Sequence, residues 1–242
     1  MGNVIMKRSA FTSIVATTFL VVALTACGNN SSGTATSVQQ KNADTTTTVA
    51  QDECAPGEAC VVGDAGPGGG TVFYVATTLF ACGARLTATC TYLEAAPSGW
   101  SIATATSKAS GCATAGSATV DPRCVWSKNT TTLNAVVAQG IAIGTGYKNT
   151  LAIIKQDSLA GTAATASQAY RGGGKTDWYL PSKDELNQMY LNKLVLGGFG
   201  VAGYWSSFEQ DASYAWAQGF NDGSKGISDV GGSLYVRPVR AF

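Results

Sequence analysis

The chain has 242 residues, with 16 basic and 15 acidic side chains, 45% hydrophobic residues and only 13% charged ones. It carries no broad basic field able to neutralise a row of phosphates, which argues against nucleic-acid binding. Histidine is absent, which removes the Ser-His-Asp and Cys-His nucleophile systems and most zinc and copper ligand sets.

Lys7 and Arg8 precede an apolar run over residues 11–24 that is too short for a membrane-spanning helix. Leu24-Thr25-Ala26-Cys27 closes this run with a cysteine where an ordinary secretory signal has only a small residue. Residues 1–26 therefore resemble a bacterial lipoprotein signal peptide. The resemblance implies cleavage before Cys27, lipidation of its thiol and new amine by palmitate-like chains, and a lasting anchor at about 0.8 kcal/mol per buried methylene. It implies a cell-envelope address, lipid-anchored to a membrane and exposed outside the cytoplasm. A simply secreted or uncleaved signal with an incidental cysteine is the alternative. Cleavage removes two basic residues and no acidic one, leaving 14 against 15.

From 28 to 52 the chain is Asn, Ser, Thr, Gln, Ala and Gly with almost nothing large, too little apolar surface to fold. Residues 27–52 are thus read as the lipidated cysteine and a disordered tether with a reach of roughly 25–30 Å. Residues 53–242 form one domain, without a second linker or an internal repeat. It holds Cys54, Cys60, Cys82, Cys90, Cys112 and Cys124, an even count suited to an oxidising compartment. Six cysteines allow 15 pairings, but these fall into three close couples around small-residue turns, which predicts Cys54–Cys60, Cys82–Cys90 and Cys112–Cys124. Each bridge would restrict the unfolded chain by roughly 2–3 kcal/mol. The rival, a zinc cluster, lacks the C-x-x-C spacing.

Gly68-Gly69-Gly70 reads as a turn opening a strand over 71–76, and 90–95 as the next strand of a stapled hairpin. Residues 111–126 read as a stapled loop. Apolar spacings of three and four predict short helices over 133–143 and 150–156, and alanine-rich 163–170 adds another. After Pro181, Ser182 and Glu185 form a capping box ahead of a helix that places Leu186, Met189 and Tyr190 on one face. Strands follow at 203–207, 214–220 and 234–239, with Asn221-Asp222-Gly223 as a hairpin turn. Helices first and strands last predict an α+β domain with a mainly antiparallel sheet.

Gly174-Lys175-Thr176-Asp177-Trp178-Tyr179-Leu180-Pro181-Ser182-Lys183-Asp184-Glu185-Leu186, Tyr204-Trp205-Ser206-Ser207, Tyr214-Ala215-Trp216 and Tyr235-Val236-Arg237-Pro238-Val239-Arg240 together resemble the Lcl C-terminal domain family. The stretch 62–74 is similar to a segment found ahead of that domain in bacterial surface proteins. The resemblance implies a C-type lectin-like fold and, by the family's collagen-like namesake, an adhesin that binds sulfated glycans. This chain has no Gly-X-Y repeat, so trimerisation through a collagen stalk is not implied. The resemblance transfers no catalytic residue.

Residues 169–176 fit a relaxed phosphate-loop pattern, but a helix precedes them and Trp178-Tyr179-Leu180-Pro181 follows, so the glycines read as a helix-stop turn and no nucleotide is expected. Gly66-Pro67-Gly68-Gly69-Gly70 lacks G-x-G-x-x-G spacing and reads as a turn. The five tryptophans, Trp100, Trp126, Trp178, Trp205 and Trp216, offer either sugar-stacking faces or core. Asp177, Glu209, Asp211, Asp222 and Asp229 are candidate calcium ligands without EF-hand spacing, and the metal assignment stays unknown. Glu209 and Asp211 as a glycosidase pair lack any sign of separation or raised pKa. Arg237 and Arg240 lie on opposite sides of a strand, and at least one is expected to pair with a carboxylate such as Asp177.

The expectation is a non-catalytic surface-binding or adhesion lipoprotein that recognises extracellular or surface glycans through Trp205, Trp216, Glu209 and Asp211. It has no obligatory cofactor, although calcium would suit it. The alternative is a structural envelope or protein-interaction module without glycan binding.

Overall fold

Glycines 66–70 turn the chain into β1 (Thr71–Cys82), which pairs antiparallel with β2 (Ala88–Ala95). The computed structural model describes Cys54, residues 59–101, Cys112, and residues 116–117, 119–129 and 137–242. All of these belong to one compact unit, Thr48–Phe242. The expected signal peptide, the lipidated Cys27 and the whole tether lie outside the described residues. The hairpin turns through Gly83 and Leu86, both in the left-handed region, and the Cys82–Cys90 disulfide closes it. Cys54–Cys60 and Cys112–Cys124 are the other two bridges.

β2 is the centre of a three-stranded sheet whose other edge is β8 (Val239–Ala241). The second sheet has the order β3 (Arg123–Val125), β7 (Ser233–Tyr235), β4 (Gly203–Glu209), β5 (Tyr214–Gly219), β6 (Lys225–Asp229). Every pairing is antiparallel except the single parallel contact of β4 with β7. The chain is therefore α+β with sheets rich in antiparallel pairs.

Successive strand residues point to opposite faces, and β4 uses this alternation to divide two cores. Trp205 faces one, with Trp100, Trp126, Trp178 and Ile153. Tyr204 faces the other, with Phe73, Leu93, Leu186 and Phe220. Helices α1 (Gly146–Gln156) and α2 (Ala163–Ala169) serve the first core, and α3 (Lys183–Leu191) serves the second. The single turn α4 (Lys193–Leu196) follows α3.

Both anticipated helix ends have physical causes. α3 starts at a complete capping box: Ser182 Oγ accepts from Glu185 N at 3.3 Å, and Glu185 Oε2 accepts from Ser182 N at 2.7 Å. α2 stops at Ala169, after which Gly172–Gly174 make one 3₁₀ turn with Gly173 at φ +56°.

Four expectations are corrected. Residues 137–143 are not helical, because Glu209 Oε2 takes the N–H groups of Val137 and Ala138 at 2.8 and 3.3 Å, and the Asn149 amide clasps both N–H and C=O of Gly140. Those backbone groups are thereby withdrawn from a helical ladder; residues 133–136 lie outside the described residues. The strand expected over 234–239 is split between β7 and β8, in different sheets, with Pro238 at the break. The loop read over 111–126 contains β3. The turn at 221–223 belongs to a longer connection, 220–224, in which Gly223 N donates to Gly219 O at 2.9 Å.

Candidate functional site

Three buried carboxylates shape the loops around the strand ends. Glu94 lies on β2 and is fully buried. The glycine turn closes over it: Gly68 N donates to Oε1 at 3.0 Å and Gly70 N to Oε2 at 3.0 Å, while Arg240 Nη1 donates to Oε1 at 2.9 Å. A Cβ on Gly66, Gly68 or Gly70 would meet Glu94 within 2.5–3.0 Å, so only glycine lets the backbone approach. Burial raises the Glu94 pKa, and Arg240 with the Gly68 and Gly70 amides works against that rise. Arg240 also binds the half-exposed Asp177 at 2.6 Å.

Asp121 and Arg237 form a second pair, 2.8 Å apart with both side chains fully buried. Tyr204 donates its hydroxyl to Asp121, and Arg237 donates to the carbonyls of Gly197 and Gly198. Burial raises the Asp121 pKa against the pull of Arg237. The third, Glu185, takes hydrogen bonds from Gly144 N, Ser182 N and the Tyr179 hydroxyl. With no cation among these partners, burial lifts its pKa to about 7. Both arginines thus pair with carboxylates, Arg240 with Asp177 and Glu94, Arg237 with Asp121.

The tryptophans divide four to one. Trp100, Trp126, Trp178 and Trp205 are buried, and each indole N–H donates to a backbone carbonyl: Val236, Ser206, Gly172 and Cys124 respectively. Trp100, Trp126 and Trp205 thereby clamp distant segments together, Trp178 ties its own loop, and none of the four offers a stacking face to solvent. Trp216 alone is partly exposed, with the Lys183 ammonium 3.5 Å from its ring centroid.

The expected ligand set of Trp205, Trp216, Glu209 and Asp211 does not form one site. Trp205 pairs with Ala217 across the β4–β5 ladder, so it shares a face with Ala217 and lies opposite the face of Trp216. Glu209 is buried and holds the strap at 137–138. Asp211 is exposed and caps the β4–β5 turn by accepting from Ser213 N and Tyr214 N. Asp229 caps the β6–β7 turn through Gly231 N. Among the described residues no group of three or more acidic or cysteine side chains is placed to hold a metal ion.

An open concavity lies instead at the Gly-rich end of β4, β5 and β6. Gly203 pairs with Gly219 and Ala217 with Gly226, so four positions across three strands present at most a methyl group. The result is a shallow groove of about 250 Å³, lined by these residues and by Asn221, Asp222 and Ser224. The Ser224 Oγ, Asp222 Oδ1 and Asn221 Oδ1 oxygens converge beside Gly219, 2.7, 2.9 and 3.1 Å from where its Cβ would stand. The Ser224 backbone N–H donates to Asp222 Oδ1 at 2.9 Å and holds that carboxyl below its ordinary range. Behind the loop, Lys193 Nζ donates to the carbonyl of Phe220 at 2.9 Å. The same ammonium reaches the Asn221 carbonyl at 3.4 Å. In the sequence only the Asn-Asp-Gly turn signal marked this region; the glycine floor needs the register of three strands to become visible.

Fold and site together define a disulfide-stapled α+β domain in which arginine-carboxylate pairs and glycine turns fix the loops. Residues 121–240 match the family model of the Lcl C-terminal domain, and this part of the chain belongs to that family. The match reaches upstream of the motifs at 174–240 to Asp121, the partner of Arg237, but leaves the segment 62–74 outside. No curated protein matches the chain.

Proposed function

We propose that this chain is a non-catalytic binding module of C-type lectin-like character, lipid-anchored in the cell envelope through Cys27, that holds a hydroxyl-rich saccharide in the β4–β5–β6 groove. The observation that carries this reading is the glycine floor with three convergent side-chain oxygens on its rim. A floor of three glycines and Ala217, edged by Gln218 and Ile227, admits the face of a sugar ring, and Asn221, Asp222 and Ser224 supply acceptors for its hydroxyl protons. An ionised Asp222 favours a neutral saccharide over a sulfated one, because a sulfate beside it would bring two like charges together. The buried carboxylates support a non-catalytic role: Glu94, Asp121, Glu185 and Glu209 are closed off from solvent and engaged by arginines, backbone amides or tyrosine hydroxyls.

The test is binding of the full chain, in its isolated form with bridges intact, to panels of neutral and sulfated glycans, with and without chelator. Saturable binding to neutral members, unaffected by chelator and weakened at least tenfold in Asp222→Ala, is expected. The absence of binding to every member overturns the glycan reading; binding lost with chelator overturns the metal-independent use of this groove.

A further inference from the structure

Among the described residues the two most exposed apolar side chains, Leu194 and Val201, flank the Gly197-Gly198 turn, while others such as Leu79 on β1 and Ile227 on β6 stand elsewhere. Leu191 ends α3, and Leu194 and Val195 stand on α4 just beyond the Asn192 break; all three are exposed. Leu194 is 93% exposed and Val201, just past the Gly197-Gly198 turn, is 85% exposed. The 200–202 loop is held beside α4, because Ala202 O accepts from Phe220 N and Phe220 O accepts from Lys193 Nζ. On the other side lie exposed Val61 and Val62. Gly63, the next residue, approaches Val195, whose Cγ1 is 3.6 Å from the position of a Gly63 Cβ.

This end is also where the N-terminal chain joins the domain. The Cys54–Cys60 bridge ties the incoming chain immediately before Val61. The chain ahead of it, 28–52, has a reach of roughly 25–30 Å if it behaves as a flexible linker. A domain tethered from this point to a bilayer keeps its apolar end within that distance of the lipid, at a high effective concentration. Lys193 directs its ammonium to Phe220 O and over the Tyr190 ring, which leaves the outward face of α4 to Leu194 and Val195.

We propose that the end formed by Val61, Val62, Leu191, Leu194, Val195 and Val201 is a membrane-facing surface on which the domain rests, with these side chains in the headgroup and upper acyl region. The inference rests on the lipid-anchor reading of Cys27. It orients the molecule, with the tether root against the bilayer. Attraction here is apolar, so it is insensitive to the anionic lipid content of the membrane.

The experiment is amide hydrogen exchange on the full acylated chain reconstituted into phosphatidylcholine vesicles, compared with Cys27→Ser chain free in solution. The expected result is exchange slowed at least tenfold in peptides covering 59–63 and 191–202, with those covering α2 (Ala163–Ala169) unchanged. In a Leu194→Asp/Val201→Asp double variant the chain should still float with the vesicles but lose the protection. Equal exchange in both samples while the chain floats with vesicles overturns the membrane-facing surface and leaves the anchor standing. An intact mass without acyl chains on Cys27, with no flotation, overturns both. Protection that appears in the soluble Cys27→Ser chain and grows with its concentration assigns the surface to a second copy and overturns the lipid assignment.

Discussion

Two glycine-rich regions of this molecule do opposite things. At 66–70 three glycines close around the Glu94 carboxylate so tightly that no Cβ fits. At the end of β4–β6, Gly203, Gly219 and Gly226 leave a groove, and a Cβ on Gly226 would meet nothing within 4 Å. The first region removes side chains so that backbone amides reach a group of the protein itself; in the second, Gly219 makes room for the oxygens of its own turn, while Gly226 faces open space. A glycine cluster therefore shows that backbone is approached closely, and what approaches it depends on the strand register.

The closed region yields the largest expected effect. Glu94→Ala removes the acceptor of the Gly68 and Gly70 amides and one carboxylate partner of Arg240, which lies in a site only 11% exposed. Breaking one side of a buried pair costs about 3–5 kcal/mol, mostly because its partner stays desolvated. Urea unfolding should show a loss of that size. A loss under about 1 kcal/mol would mean that water replaces the carboxylate and that the turn is as open as the groove.

Glu185 sharpens the comparison, because it is a buried carboxylate held by amides and a tyrosine hydroxyl with no arginine. Its folded pKa of about 7 stands above the ordinary 4.5, so between these values the folded chain holds a proton that the unfolded chain has lost. Stability then falls as pH rises from 4.5 to 7, by on the order of 3 kcal/mol in total, and is independent of this group outside that window. In Glu185→Gln the contribution disappears. The wild type should lose stability relative to the variant across this window when both are unfolded in urea at pH 4.5, 6 and 8. Parallel curves would place Glu185 in a solvated environment.

Much of the frame was legible because its signals are local. Ser182 and Glu185 are three residues apart, the cysteine couples bracket short turns, and Gly68-Gly69-Gly70 abuts an apolar strand; each can be read without knowing what lies across the fold. What was not legible depends on distant partners. The helical spacing over 137–143 lost to Glu209, some 70 residues away, which captures its amides. β6 has no apolar alternation, since as an exposed edge strand it buries little. Glu94 stands in an apolar strand sequence and shows no sign of the glycines it will bind. Trp205 and Trp216 look alike in sequence, yet strand alternation sends them to opposite faces.

The smallest effect is the most direct test of the contrast between the two glycine regions. Gly70→Ala would put a methyl carbon 2.5 Å from the Ala95 carbonyl oxygen, against backbone of the neighbouring strand, and such overpacking costs about 1–3 kcal/mol. Gly226→Ala adds the same methyl to open space on a strand, where the expected change is within about 0.5 kcal/mol. Paired thermal unfolding of the two variants should therefore separate them clearly, with Gly226→Ala at the wild-type midpoint. The bulkier Gly226→Val should also keep that midpoint while occupying the groove floor and weakening saccharide binding at least tenfold. If Gly226→Ala unfolds as early as Gly70→Ala, the groove is closed in solution, and the two glycine regions serve the same structural purpose.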